Sequence, residues 1–128
     1  MKILILGSGQ VGSMVAKNLV AVPENDVTVV DIDESALHRL SSSLDVQTVL
    51  GNGALPDVLE AAGAADTDLL LALTRSDETN LVACKTADEV FNIPSRLVRI
   101  RSVHYLNYPR KLGEKSILDI FSVTEPIS

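Results

Sequence analysis

The chain has 128 residues and a formal net charge of −6, from 17 acidic side chains against 11 Lys and Arg, a length that suits one domain. Apolar residues make up 46%, which excludes a disordered chain, while aromatics are only 3% and Trp is absent. Val, Leu, Ile and Ala must therefore fill the core, the palette of buried parallel strands with helices packed on them.

Lys2 to Leu6 reads as a strand running directly into Gly7-Ser8-Gly9-Gln10-Val11-Gly12. Val11, Met14, Val15, Leu19 and Val22 then recur at helical spacing, and Pro23 with Asn25 stops that helix. Val27 to Val30 is a β-branched strand ending in Asp31, and Asp33 caps a short helix with Leu37, Leu40 and Leu44 on one face. Val46 to Leu50 forms a third strand, closed by Gly51-Asn52-Gly53. Pro56 suits the first turn of a helix through Val58, Leu59 and Ala62, which Gly63 ends.

Asp68 to Leu73 is the fourth strand. Ser76, Asp77 and Glu78 open a longer helix, with acids at the positive end of its dipole and Leu81, Cys84, Ala87 and Phe91 facing inward. After Pro94, Leu97 to Ile100 makes a fifth strand. A helix over about His104 to Leu112 and a sixth strand over Leu118 to Ser122 complete the pattern.

Strands and helices alternate with short loops, so the expected fold is α/β, a Rossmann-like doubly wound parallel sheet in the order 3-2-1-4-5-6. No helix follows the last strand, which suggests a domain cut from a longer chain, or a chain that covers this flank with a partner. None of the apolar runs, such as Ile3–Leu6 or Leu69–Leu73, approaches the ~20 residues needed to cross a bilayer. A single Cys84 excludes an intrachain disulfide and a multi-Cys zinc site. These features predict a soluble cytoplasmic domain. Charge is uneven: residues 1–89 carry 14 acids against 5 bases, and residues 90–128 carry 3 against 6. The acidic remainder disfavours binding to a nucleic acid.

Gly7-x-Gly9-x-x-Gly12 follows a strand, opens a helix and has an acid beyond it. Gly7 permits the tight turn, Gly9 lets the backbone approach a pyrophosphate, and Gly12 lets the helix sit on the strand. The amides near Gln10 and Val11 would face a diphosphate at the helix N-terminus. Asp31, 19 residues after Gly12, is placed to accept hydrogen bonds from the ribose hydroxyls of an adenosine. It would repel a 2′-phosphate and no Arg follows immediately, which favours NAD over NADP. Asp31 does not separate NAD from ATP, ADP or AMP.

Other strand ends converge on the same crevice. Asn52 and Gly53 line an adenine pocket or form a plain turn. Leu73 ends a strand, and the Thr74 hydroxyl meets a ribose or phosphate, or caps a helix. Arg99 and Arg101 reach a phosphate or a partner subunit. Asp33 serves as cap or ribose contact.

The run from Lys2 to Gly12, Val29 to Asp33, Asp57 to Gly63, Leu73-Thr-Arg-Ser-Asp-Glu-Thr-Asn80 and Arg96 to Arg101 resemble the Trk-type potassium-uptake regulatory proteins. The stretch from Thr74 to Asn80 is far more specific than the glycines alone. The resemblance covers the chain to about residue 122. It implies residues 1–128 as a KTN or RCK-N domain, lacking its C-terminal companion. Such a domain sits on the cytoplasmic side, forms dimers and rings, and docks on a membrane potassium transporter without inserting into the bilayer. NAD or NADH, and in some members ATP or ADP, would occupy the crevice. By position, the implied contacts are Gly7 to Val11, Asp31, Asn52, Gly53, Leu73, Thr74 and Arg99. Asn52 stands where many members carry an acid or His.

A dehydrogenase needs a proton-exchanging group beside the nicotinamide and a second domain over its substrate. His38 lies on the second helix away from the crevice, and His104 reads as a helix-start residue. Tyr105 and Tyr108 are as readily packing residues, and Cys84 sits on an apolar stripe as a buried structural thiol. The expectation is a non-catalytic nucleotide sensor. The rivals are the cofactor domain of an NAD-dependent oxidoreductase and a scaffold with a vestigial site.

Overall fold

The computed structural model describes residues 1–102 together with the strand at 120–124. The elements run β1 (Lys2–Leu6), α1 (Gln10–Val20), β2 (Asp26–Asp31), α2 (Glu34–Ser43), β3 (Gln47–Leu50), α3 (Pro56–Ala61), a 3₁₀ turn (Ala64–Asp66), β4 (Leu69–Ala72), α4 (Asp77–Glu89), β5 (Ser95–Ile100) and β6 (Ile120–Thr124). All strand pairs are parallel and the order is β3-β2-β1-β4-β5-β6. This is the doubly wound order that the alternating pattern predicts. β6 starts two residues later than expected, and the predicted helix at 104–112 lies outside the described residues, as do His104, Tyr105 and Tyr108.

Period-two alternation in β1 explains why one strand serves two cores. Leu4 and Leu6 face a layer with Val30, Leu59, Ala83, Cys84 and Ile93, beneath α3 and α4. Ile3 and Ile5 face the opposite layer, with Ala16, Val29, Leu37 and Leu40 beneath α1 and α2. A strand buried on both faces reads as an unbroken apolar run, and the four residues Ile3 to Leu6 are at most 1% exposed. β3, at the sheet edge, is mostly exposed.

α1 departs from its periodic reading. Its buried positions are Gly12 and Ala16, while Met14 and Val22 are 58% and 46% exposed. Small residues let the helix approach the sheet closely, and Met14, two residues from each of them and so about 200° round the helix, falls on the outer face. α1 stops at Val20, where the Asn25 side-chain amide donates to the Leu19 carbonyl at 3.0 Å. α4 likewise buries Asp77, Asn80, Ala83, Cys84 and Ala87, with Leu81 and Phe91 only partly buried against the core.

On the buried face of α4, Cys84 is 1% exposed, and burial pushes its thiol up to about 11, with the nearby Arg96 partly opposing. Arg96 donates to the Ile93 carbonyl and pairs with Asp88 at 3.3 Å. The expected buried structural thiol is what the fold contains.

Candidate functional site

The strand order reverses at β1, whose two neighbours send their crossovers to opposite faces. In open α/β sheets a crevice forms at this point, beyond the carboxyl ends of the strands. Here it is a cleft of about 450 Å³. Its floor is the turn after β1, and its walls are the ends of β2, β3 and β4 with the first turns of α2 and α4. Lining residues include Gly7, Ser8, Gly9, Asp31, Asp33 and Asn52.

Three glycines do three separate jobs. Gly7 has φ +103°, and a Cβ there would lie 2.9 Å from the Leu73 carbonyl oxygen. The turn therefore demands glycine both for its backbone and for its contact with the end of β4. A Cβ on Gly12 would collide with the Gly7 carbonyl, so Gly12 sets how closely α1 sits on β1. Gly9 is different: a Cβ there would meet no protein atom within 4 Å. Its missing side chain leaves open space in the cleft wall beside the start of α1, whose first amides have no intrahelical acceptor.

Asp31 is fixed by its neighbours. One carboxylate oxygen accepts the Ser8 amide at 2.6 Å and the Ser8 hydroxyl at 2.7 Å, and the other accepts the Asp33 amide at 2.8 Å. Burial alone would raise its pKa, but the Ser8 hydroxyl and the Asp33, Ser8 and Ile32 amides outweigh that, and the net shift is downward. The group is thus ionised at neutral pH and held at the cleft. Asp33 resolves as the cap of α2, accepting from the Ala36 amide at 3.2 Å, while also lining the cleft.

On the adenine side expected from the spacing, the Asn52 carbonyl group of the side chain accepts from the Ala54 amide at 2.9 Å, shaping the turn. Asn52 and Gly53 both line the cleft, and a Cβ on Gly53 would press on Leu6. On the far side, Leu73 and Thr74 are present in the wall. The Thr74 hydroxyl donates to Asn80 Oδ1 at 2.7 Å, and the cap of α4 is Ser76, which accepts from Thr79 at 3.1 Å.

Asn80 is fully buried and joins two strands. Its oxygen accepts the Thr74 amide at 3.0 Å, and its amide donates to the carbonyls of Thr74 at 3.0 Å and Arg99 at 2.8 Å. Two carbonyl acceptors fix which way the amide points. Asp77 adds a second tie, accepting the amides of Arg101 at 3.0 Å and Ser102 at 2.7 Å. The stretch from Thr74 to Asn80 therefore clamps the end of β4 to the end of β5.

The structure does not bring every expected contact into the cleft. Gln10, Val11 and Gly12 lie in α1 rather than among the lining residues, with Val11 packed on the core. Arg99 is buried on β5, does not line the cleft, and offers its carbonyl, not its guanidinium, to Asn80. Burial pulls its pKa down, helped by Arg101 and Arg75 and opposed by Asp77.

Two cations missed by the sequence reading do line the cleft: Arg39 on α2 and Arg75 before α4. Arg39 stands one helical turn beyond Ala36, another lining residue, and that spacing was its only signal. Its presence removes the expected lack of a nearby Arg as a reason to prefer NAD over NADP. The charge of Asp31 remains as one. His38 is exposed and is not among the cleft residues. Among the described residues, no cluster of His, Cys, Asp or Glu could hold a metal ion.

A parallel sheet in this order, a glycine turn after its first strand and a carboxylate ending its second define the Rossmann class of α/β domain. Within that class, the TrkA-N domain family matches residues 3–119, and the chain belongs to it. The Trk system potassium uptake protein TrkA of Vibrio alginolyticus is 44% identical over 126 residues, covering 98% of this chain and 27% of that protein. The chain thus spans about a quarter of the length of such relatives, which carry the name of a potassium uptake protein and not of an enzyme.

Two solved structures share the fold. The TrkA-N domain of the inner membrane protein ybaL from Escherichia coli has a TM-score of 0.79 at 19% identity, covering 96% of this chain and 86% of that one. The Kef CTD of Shewanella denitrificans, solved in an AMP-bound form, has a TM-score of 0.78 at 21% identity, covering 99% and 73%.

Proposed function

We propose that this domain is a non-catalytic nucleotide sensor for a potassium uptake system, and that its cleft binds an adenosine nucleotide, NAD(H) or ATP/ADP. The observation that carries the reading is Asp31, ionised and fixed at the end of β2 opposite the glycine turn. An adenosine ribose offers two hydroxyl donors to such a carboxylate. The open space at Gly9 accommodates a phosphate chain that a side chain would exclude, and the first amides of α1 favour its charge. Ser8, Gly9 and Asp31 would hold the nucleotide, with Asn52 and Gly53 beside the base and Thr74 and Arg75 on the far wall. The AMP-bound Kef domain, alike in fold, supports the ligand class.

The partner in this reading is a membrane potassium transporter, met from the cytoplasmic side by an assembly of these domains. No helix among the described residues is long and apolar enough to cross a membrane. Nucleotide binding shifts the balance between two arrangements of paired domains by its differential affinity for them, and the transporter reads the difference.

Calorimetric titration of NAD, NADH, NADP, ATP and ADP on this chain tests the ligand. At least one of the four lacking a 2′-phosphate is expected to bind, and NADP more weakly than NAD, because Asp31 repels the extra phosphate. Flat titrations with all five overturn the reading.

A further inference from the structure

Asp31 is nearly saturated by its own chain. A carboxylate offers two lone-pair positions on each oxygen. Ser8 takes both on Oδ2, through its amide at 2.6 Å and its hydroxyl at 2.7 Å. The Asp33 amide, at 2.8 Å, takes one on Oδ1, and the Ile32 amide also bears on the carboxylate. At most one position is left. A ribose presents two neighbouring hydroxyl donors, so both cannot bond Asp31 while the Ser8 hydroxyl remains there.

Ser8 is 7% exposed and lines the cleft next to Asp31. Its hydroxyl is thus enclosed at the place where a ribose would need to donate. Rotation about one side-chain bond moves that hydroxyl while the Ser8 amide keeps its own bond to Oδ2.

We propose that the Ser8 hydroxyl is an internal substitute for a ribose hydroxyl, holding Asp31 in the ligand-free cleft and yielding only to a nucleotide with an intact cis-diol. Resting on the adenosine reading above, this makes Ser8 a specificity-determining residue. A ribonucleotide must displace the Ser8 hydroxyl to gain its second bond, whereas a deoxynucleotide, with one donor fewer, leaves the Ser8 hydroxyl in place. Ser8 therefore weakens ribonucleotides selectively and narrows the gap between ribose and deoxyribose.

The test is calorimetric titration of ADP, 2′-deoxy-ADP and 3′-deoxy-ADP on the chain and on Ser8→Ala. Removing one competing hydrogen bond is expected to tighten ADP about three- to tenfold and to leave both deoxy analogues within about twofold. Ser8→Thr, which keeps a hydroxyl, is expected to restore the wild-type pattern. Should Ser8→Ala melt early, Ser8→Gly removes the same hydroxyl and is read in the same way. Unchanged or weaker ADP binding in the Ala variant, or equal gains for all three ligands, overturns the proposal while leaving the adenosine reading standing. Absence of ADP binding to the wild-type chain overturns both.

Discussion

At Asp31, charge, fold and ligand reading meet in one side chain. Its pKa is depressed in the folded chain, so its contribution to stability is fully present above the unfolded value. That contribution is lost as pH falls through the lower folded one. Thermal melts between about pH 3 and pH 7 are therefore expected to show a steeper acid loss in the wild type than in Asp31→Asn, with the difference confined to pH below about 4. Parallel acid limbs would mean that the donors around Asp31 contribute no linkage. In the same variant, ADP affinity is expected to fall at least about tenfold, since an amide offers one acceptor where the carboxylate offered two.

Asp31 and the three glycines were readable from spacing alone, because a tight turn, a close helix and a strand-end acid each demand one residue type. Arg39 was not, since its place one turn beyond Ala36 marks it only once Ala36 is known to line the cleft. The Ser8 bond was hidden for a related reason: only the folded turn after β1 brings residues 23 apart in sequence to 2.6 Å.

Among the elements, α4 has the greatest reach. Its first turns supply Asp77 and Asn80, whose side chains hold the ends of β4 and β5 together. Asn80→Ala takes this partner from three backbone groups, the part-buried amide and carbonyl of Thr74 and the buried carbonyl of Arg99. It is expected to cost about 1–3 kcal/mol in urea denaturation, and a loss under 0.5 kcal/mol would show that water replaces the amide. Gly12→Ala is expected to cost roughly 3 kcal/mol or more, because α1 must move off the Gly7 carbonyl.

The alternation of strands and helices along the chain is enough to specify the sheet order. The faces of the helices were less legible. Periodicity weighs Met14 as a core residue, yet a helix seated through Gly12 and Ala16 points the residue between them outward. In α4, polar Asp77 and Asn80 break the apolar stripe because they are buried for hydrogen bonding, and no hydrophobic pattern signals that. Asn80 stood in the most specific motif of the chain, but its acceptors are backbone carbonyls, which every sequence has.

Among the described residues, one sheet carries two cores and the cleft at its switch point, so binding at the cleft is coupled to the stability of everything around it. A nucleotide at 100 times its dissociation constant is expected to add about 2.7 kcal/mol to unfolding. That increment is read as a rise in melting temperature that grows with ligand concentration. A ligand that binds without raising the melting temperature would be gripping the unfolded chain as well.

The one cysteine gives this coupling a recorder. On the inner face of α4 with its proton held, Cys84 is closed to a thiol reagent while the helix stays seated, since reaction needs both access and a thiolate. Each labelled molecule is then one in which α4 has lifted from the sheet, and the labelling rate counts those openings in unfractionated native protein. With Asn80 binding α4 to the cleft wall, the same count taken with and without nucleotide times how firmly the ligand keeps that door shut.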